Sequence, residues 1–215
     1  MKLYSYFRSS AAYRVRIALN LKNLPYEYMP VHLLRAGGEQ LTADYRKLSP
    51  DAIVPTLVDG DDVVLQQSLA IIEYLEETHP NPPLLPAAAA DRAYVRAIAL
   101  QIACEIHPLD NLRVLRYLVK DLGVSEDDKN RWYRHWVETG LETVERQLAN
   151  HPSTGRFCHG DTPGLADCVL VPQIHNAQRM SCRLDHVPTV MRIHEHCMAE
   201  PAFSGAQASA CPDAA

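Results

Sequence analysis

The stretch "KLYSYFRSSAAYRVRIALNL", residues 2–21, contains two hydrophobic patterns in immediate succession. "KLYSY" predicts a short β-strand, and the segment from Ser10 to Leu21 predicts an α-helix. The helix prediction rests on apolar residues at helical spacing: Ala11, Val15, Ala18 and Leu19. A strand that passes directly into a helix is the usual opening of an α/β domain.

The rest of the first half extends this pattern. "YEYMPVHL", residues 26–33, predicts a second strand, and "TLVDGDDVVLQ", residues 56–66, predicts two strands around an Asp-Gly turn. "SLAIIEYLEETH", residues 68–79, predicts a closing helix with Ser68 as its N-cap candidate. Strand, helix, strand, hairpin and helix together indicate a small α/β domain over residues 1–80.

The second half is predicted to be helical throughout. Four prolines interrupt "HPNPPLLPAAAADR", residues 79–92, and indicate a linker at about residues 81–90. Beyond it, helical spacing recurs in "DRAYVRAIALQIACEI", "NLRVLRYLVKDL", "WYRHWVETGLETVERQLA" and "LADCVLVPQIHNAQRM". We therefore expect an all-α domain over residues 91–215.

Composition narrows the function classes. The chain has 215 residues, 47% of them hydrophobic, and a formal net charge of −5 without a basic run. This argues against nucleic acid or an anionic membrane as the main partner. No apolar stretch reaches the roughly 20 residues that a membrane span needs, and the N-terminus lacks an apolar signal-peptide core, so we expect a cytoplasmic protein.

Cysteine and histidine spacing points to neither disulfides nor a metal. The first of six cysteines is Cys104, so the α/β half lacks the thiols that a thioredoxin-like redox reaction requires. The cluster "HEHC", residues 194–197, lacks a second ligand pair at zinc-like spacing. No metal site is predicted.

Two adjacent serines, Ser9 and Ser10, stand where the first helix begins. The first turn of a helix leaves backbone N–H groups unpaired, and the helix dipole places partial positive charge there. Such an end binds an anion, and a thiolate held there has a pKa below its usual value of about 8.5. Because the segment contains no cysteine, the sulfur would have to come from a ligand. The alternative is that either serine is only a helix cap.

Two further features suit a peptide ligand. Pro55 follows Val54 just before an apolar strand, which indicates an edge, a bulge or a cis turn that leaves the backbone groups of Val54 free. Gln67 and Ser68 stand at another helix start, which suits a carboxylate. Together these features describe a site for an acidic, thiol-bearing peptide.

"LYSYFRSSAAYRVRIALNLK", "VPTLVDG", "QQSLAIIEYLEE", "IHPLDNLRVL" and "GDTPGLADCVLVPQIHNAQR" resemble the zeta class of glutathione transferases. That class includes isomerases of maleylacetoacetate and of maleylpyruvate. The resemblance implies a thioredoxin-like N-terminal domain, an all-α C-terminal domain, glutathione as cofactor bound between the domains, a small dianionic keto-acid substrate and a homodimer.

The resemblance also implies roles for particular residues. Ser9, with Ser10 beside it, matches the hydroxyl that supports the glutathione thiolate. The other glutathione positions are Gln40, Val54, Pro55 (expected cis), Gln67, Ser68 and His107. Arg113 and Arg179 match positions that line the substrate side. Arg8, directly before Ser9, is the strongest candidate to bind the substrate carboxylates and stabilise the enolate, because arginine binds carboxylates through two hydrogen bonds and stays charged. His107 is equally open to a structural reading, and Arg14 and Arg16 are expected to serve packing and ion pairs.

This sequence departs from the class at two places. The usual Ser-Ser-Cys motif has Ala11 in its third position, so a cysteine there cannot be essential. The helix at "LADC" normally opens with a serine or threonine cap, but Gly164 stands there, and Asp167 is predicted to bond back to the turn.

The implied activity is glutathione-dependent cis–trans isomerisation of maleylacetoacetate in aromatic breakdown. Maleylpyruvate isomerisation, conjugation of assorted electrophiles, and a non-catalytic glutathione-binding module remain the alternatives. Consumption of glutathione would separate conjugation from isomerisation, and a bound thiol still protonated at pH 7 would favour the binding module.

Overall fold

The computed structural model describes residues 1–214, which form two compact units. The first unit contains Met1–Leu84 together with residues 199–214, and the second is Leu85–Met198. The sequence placed the whole of 91–215 in one domain. The difference arises because residues 199–214, which we call the return segment, pack on the α/β unit through contacts that no local pattern encodes.

A four-stranded mixed sheet forms the centre of the first unit. The strands are β1 (Lys2–Ser5), β2 (Glu27–Pro30), β3 (Thr56–Asp59) and β4 (Val63–Gln66), in the order β2-β1-β3-β4. β1 pairs parallel to β2, and β3 pairs antiparallel to both β1 and β4. Leu3 is opposite Tyr28 on one side and Leu57 on the other, which places its fully buried side chain at the middle of the sheet.

Three helices complete the α/β unit: α1 (Ser10–Leu21), α2 (Ala43–Leu48) and α3 (Ser68–Thr78). α1 and α3 pack against each other. Their inward residues and those of the sheet form the core, which includes Leu3, Ile17, Leu57, Ile71 and Leu75, none more than 2% exposed. A βαβ unit followed by an antiparallel hairpin and a helix is the thioredoxin-like arrangement that the sequence predicted.

The predicted elements of this unit are confirmed, with one correction. α1 has the predicted bounds, and the strand pair around the Asp-Gly turn is present. The predicted cap at Ser68 is wrong, because Gln67 occupies the N-cap position and Ser68 is the first helical residue. The expected cis bond between Val54 and Pro55 is confirmed.

A buried ion pair joins the end of α1 to α3, and the same lysine binds the chain that follows α3. Nζ of Lys22, whose side chain is fully buried, donates to Oε2 of Glu76 at 2.7 Å and to the carbonyls of His79 and Pro82. The same Glu76 oxygen accepts from the backbone N–H of Leu84. This network fixes the first part of the proline-rich linker to the α/β core.

The second unit is helical, as predicted. Its helices are α4 (Ala89–Leu100), α5 (His107–Asp110), α6 (Leu112–Lys120), α7 (Glu126–Ala149), α8 (Leu165–Arg179) and α9 (Pro188–Ala199), and α10 (Pro201–Ser204) follows in the return segment. The sequence patterns did not single out α9 or α10. No helix within residues 1–214 is both long and apolar enough to cross a membrane.

A π-helical turn, Gln101–Ile106, joins α4 to α5. It packs closely on α7, where a side chain at Gly140 would clash with the side chain of Ile106. The sequence predicted one helix over residues 91–106. In the structure the last six of these residues form the wider π-helical turn instead. Turns of this kind often occur at functional positions.

α8 is the most buried helix of the second unit, and its start confirms the role predicted for Asp167. Oδ2 of Asp167 accepts from the N–H of Gly164 at 2.8 Å, and Oδ1 accepts from the N–H of Cys158 at 2.9 Å. Burial raises the pKa of this carboxyl, and the two N–H donors oppose that rise. Gly164 has no side chain to cap the helix, so Asp167 provides the capping contact.

Candidate functional site

The N-terminus of α1 presents Ser9 as both cap and candidate anion donor. Oγ of Ser9 accepts a hydrogen bond from the N–H of Ala12 at 3.2 Å, which confirms the capping role. A hydroxyl that accepts one bond still has its own hydrogen to donate. The structural and the functional readings of Ser9 are therefore compatible. Ser10, the first helical residue, is buried.

Arg8, directly before Ser9, is exposed, and its guanidinium lies 4.9 Å from the centre of the Phe7 ring. Such a cation–π contact restrains the side chain without neutralising it. Among the described residues, no carboxylate pairs with Arg8. Its charge is available to an anionic ligand.

Val54 carries unpaired backbone groups beside the cis peptide bond to Pro55. Within residues 1–214, neither its N–H nor its C=O makes a hydrogen bond to another protein group. Val54 is only 7% exposed, and buried backbone groups are almost always paired. A ligand with its own peptide group would satisfy both.

Gln67 lies just after β4 in a strained backbone conformation, with φ at +67°. A non-glycine residue in such a region typically costs about 1–3 kcal/mol and often marks a ligand site. Its exposed side chain has no partner in the described part of the chain. Oγ of the buried Ser68 accepts from Nη1 of Arg14 at 3.2 Å and keeps its hydrogen for a ligand.

Arg14, which the sequence expected to serve packing and ion pairs, contacts the candidate site through Ser68. Its guanidinium is 2% exposed and places a positive charge beside Ser68. The only sequence signal for this contact was an arginine within the predicted first helix. Arg16 is likewise buried, and it binds Ser5 and the carbonyls of Phe7 and Ala206. The predicted ion pair for Arg16 is therefore wrong, while its packing role is confirmed.

Gln40 lies in a short 3₁₀ turn and is 6% exposed. Its Oε1 has no partner among the described residues. The amide fits under Gly38, where an added side chain would meet Nε2 at 2.7 Å and φ is +122°. A buried amide with an unpaired oxygen retains the capacity to bind a peptide ligand.

The strand register explains why these residues meet. β1 ends at Ser5, opposite the end of β2, while Tyr4 of β1 pairs with Thr56 at the start of β3. Thr56 in turn pairs with Gln66 at the end of β4. The segments carrying Ser9, Val54 and Gln67 therefore all leave the sheet at one edge. The arrangement fits an acidic peptide with an ionised thiol.

In the second unit, His107 begins α5 directly after the π turn, and Pro108 follows it in the first turn. The side chain of His107 is half-buried and has interactions of its own within the protein. Arg113 lies on α6 with an exposed side chain. Nothing in the geometry assigns either residue to a ligand, and both roles stay predictions.

Arg179, the last residue of α8, is exposed and has Tyr133 of α7 as a hydrogen-bonding neighbour. Asp110 acts electrostatically on the same tyrosine, and neither of its carboxyl oxygens has a partner in residues 1–214. Burial raises the pKa of Asp110 to about 8. A buried carboxyl that acts on the same tyrosine as a predicted substrate arginine was not foreseen, because its burial depends on tertiary packing.

A cavity of about 470 Å³ also opens on the second unit. Its lining is mainly basic and includes Arg131, Arg134, His135, Glu138, Ser181 and Arg183. Glu138 already holds the backbone N–H and Nε of Arg183. None of the predicted site residues lines this cavity, so we do not assign it to the site.

A thioredoxin-like sheet with a cis-proline before its third strand and a serine at the first helix start defines a glutathione-binding domain. In agreement, the family model for the N-terminal domain of glutathione S-transferases matches residues 3–83. A probable maleylacetoacetate isomerase of Vibrio cholerae is 50% identical over 212 residues, which cover 99% of this chain and 97% of that protein.

Solved structures of related proteins have the same fold over nearly the whole chain. The holo structure of a maleylpyruvate isomerase, described as a bacterial zeta-class glutathione transferase, superposes with a TM-score of 0.96 at 46% identity, covering 100% of both chains. A maleylacetoacetate isomerase of Methylobacterium extorquens, with bound malonate and glutathione, gives 0.95 at 40% identity, covering 99% of this chain and 98% of that one. The chain belongs to the zeta class of the glutathione transferases.

Proposed function

We propose that this chain is a glutathione-dependent cis–trans isomerase that converts maleylacetoacetate to fumarylacetoacetate. The observation that carries the proposal is Ser9, a hydroxyl at a helix N-terminus in a stretch with no cysteine before Cys104. A site built to hold a thiolate, in a segment without a thiol, takes its sulfur from a ligand. The 50% identical relative supports the choice of substrate.

Bound glutathione supplies a thiolate that adds reversibly to the cis double bond, which then rotates as a single bond. The chain's part is to hold the reactants. Ser9 and the first turn of α1 keep the sulfur ionised, and Val54 pairs with the cysteinyl amide. Gln67 and Ser68 bind the γ-glutamyl end, and Gln40 and His107 act near the glycyl end or the thiol.

Arg8, Arg113 and Arg179 are proposed to bind the substrate. The planar fork of arginine binds a carboxylate through two parallel hydrogen bonds and stays charged at every relevant pH. A dianion that gains negative charge on its carbonyl oxygen during rotation requires such cations. The unpaired charge of Arg8 supports this assignment most directly.

A rate comparison on the two keto-acids with catalytic glutathione tests the proposal. We expect faster turnover of maleylacetoacetate, with the concentration of free thiol unchanged at the end. A preference for maleylpyruvate would change the proposed substrate and leave the proposed isomerisation mechanism unchanged. Stoichiometric loss of thiol would show conjugation instead, and a bound thiol still protonated at pH 7 would favour a binding module.

Cellular context and assembly belong to the same proposal. All six cysteines are free, which is usual in a reducing compartment and supports a cytoplasmic enzyme of aromatic breakdown. The zeta-class resemblance supports a homodimer. Light scattering coupled to size-exclusion chromatography tests the dimer, which would have twice the mass of the chain.

A further inference from the structure

The return segment brings an aspartate to the loop that presents Arg8 and Ser9. Oδ2 of Asp213 accepts a hydrogen bond from the backbone N–H of Phe7 at 3.2 Å. Oδ1 of the same carboxylate accepts from the hydroxyl of Tyr28 at 2.6 Å. Two residues 206 positions apart in the chain are therefore joined directly beside the candidate thiolate site.

The carbonyl of Phe7 is held as well. Nη2 of Arg16 donates to it at 3.3 Å, while Nη1 binds Oγ of Ser5 and Nε binds the carbonyl of Ala206 in the return segment. Arg16 is 1% exposed, so this contact lies within the core of the first unit. A negative and a positive side chain thus hold both polar groups of the Phe7 backbone.

Arg16 and Asp213 also act electrostatically on the same two neighbouring side chains, Cys211 and Tyr28. Burial raises the pKa of the Cys211 thiol; the nearby positive charge of Arg16 opposes this rise, and the negative charge of Asp213 adds to it. The same two side chains act on Tyr28 in the same opposing senses.

The position of Phe7 determines where Arg8 and Ser9 lie. Its ring lies against the guanidinium of Arg8, and the N–H of Ser9 binds back to the carbonyl of Tyr6 at 2.9 Å. A shift of the Phe7 peptide group would therefore move both Arg8 and the N-cap of α1. Displacements of about 1 Å at a reacting centre reduce rates by up to about 100-fold.

We propose that Asp213 is a positioning residue, which sets the Phe7 backbone so that Ser9 meets the glutathione sulfur and Arg8 meets the substrate. The inference rests on the proposed function. It assigns no bond-making step to Asp213, whose carboxylate acts through the Phe7 peptide group.

Four variants separate positioning from simple attachment of the return segment. Asp213→Ala removes both contacts of the carboxylate, and Asp213→Asn retains one acceptor oxygen. Tyr28→Phe removes the hydroxyl contact and leaves the Phe7 contact in place. Asn20→Ala is the matched control, because Nδ2 of Asn20 holds the return segment at the carbonyl of Ala202, away from Phe7.

Three readouts are measured on each full-length variant: the melting temperature, the pKa of bound glutathione from thiolate absorbance, and kcat and KM separately. For Asp213→Ala we expect a higher thiol pKa and a kcat/KM lower by about 10- to 100-fold. Asp213→Asn should fall between this variant and the wild type. Tyr28→Phe and Asn20→Ala should lower the melting temperature and leave the thiol pKa unchanged.

Asp213→Ala could instead keep the wild-type thiol pKa and lose melting temperature as Asn20→Ala does. That result would show that Asp213 only attaches the return segment and does not position Ser9 or Arg8. If Asp213→Ala does not fold, Asp213→Leu, which has a similar volume and no acceptor oxygen, decides the question, and a wild-type thiol pKa and kcat/KM there overturn the inference. A thiol pKa left at the free value in the wild-type complex would instead refute the proposed function, and with it this role.

Discussion

Replacing Ser9 by alanine removes one hydroxyl that has two roles. The oxygen accepts the N–H of Ala12 at 3.2 Å and so caps α1. The hydroxyl hydrogen is proposed to bind the glutathione sulfur. Loss of the cap lowers the free energy of unfolding by about 1 kcal/mol. Loss of the donor acts on the thiol and can be measured separately.

The size of the thiol effect follows from the charge on the acceptor. A hydrogen bond to a charged group contributes about 1.5–3 kcal/mol, and one pKa unit corresponds to about 1.4 kcal/mol. We therefore expect the pKa of bound glutathione to rise by about one to two units in Ser9→Ala. At pH values below the wild-type thiol pKa, each unit lowers the thiolate fraction about tenfold.

The rate falls less than the thiolate fraction does. A more basic thiolate is a better nucleophile, with a Brønsted coefficient of about 0.4–0.5. At pH values below the wild-type thiol pKa, the net loss of kcat is then roughly 3- to 12-fold if the pKa is the only cause. It should shrink as the pH approaches the raised pKa. A pH–rate profile displaced to higher pH is the expected signature.

Companion variants separate the two roles of Ser9. Ser9→Gly retains most of the cap and loses the donor, so it should share the displaced profile with little loss of stability. Ser9→Thr should retain both properties. Ser9→Asp caps the helix but puts a carboxylate beside the sulfur, so it should have the highest thiol pKa. Thiolate absorbance, urea unfolding and pH–rate profiles are measured on each.

A wild-type thiol pKa in Ser9→Gly would refute the reasoning, because that variant lacks any hydroxyl at the position. Ser10→Ala is the matched control. A displaced profile in Ser10→Ala, with a wild-type profile in Ser9→Gly, would transfer the role to Ser10.

Three further predictions concern charge. Arg8→Ala should raise KM for the dianion about tenfold, as expected for the loss of a charge-assisted pair, with partial recovery in Arg8→Lys; an unchanged KM in steady-state assays would remove Arg8 from the substrate site. Asp110 has a pKa of about 8 in the folded protein and roughly 4 in the unfolded chain. Its contribution to the free energy of unfolding is therefore largest below pH 4 and is lost as the pH rises to about 8. Asp110→Asn should flatten that slope in urea unfolding at pH 5 and pH 8, and parallel profiles would contradict the assignment. Lys22→Met should lower the free energy of unfolding by about 3–5 kcal/mol, because it leaves Glu76 charged and buried; adding Glu76→Gln should restore much of the loss, and no such recovery would contradict the pairing.

Several parts of the fold were predictable because their causes are local. The apolar spacing between Ser10 and Leu21 specifies a helix whatever surrounds it, and the observed bounds agree. The Asp-Gly turn likewise determines the pairing of β3 with β4. The contact of Asp167 with the N–H of Gly164 spans only three residues, so a sequence pattern could indicate it.

Other parts depend on packing that no short pattern encodes. The π turn before His107 packs against Gly140, which is far from it in the chain. The sequence around the turn is by itself consistent with an ordinary helix. The strained backbone of Gln67, which replaces the predicted cap at Ser68, depends on how β4 meets α3. Burial of Asp110 and the resulting rise of its pKa likewise have no local sign.

The sequence by itself determined the two-part architecture, the helix start at Ser9 and the family to which the chain belongs, because periodicity, capping and motifs act over a few residues. Only the tertiary structure decided that Val54 keeps unpaired backbone groups at the sheet edge and that Asp213 holds the loop of Ser9. Hydrogen bonds between residues far apart in the chain form only after the sheet and its helices have packed. Their partners are chosen by position in space, which local sequence does not specify.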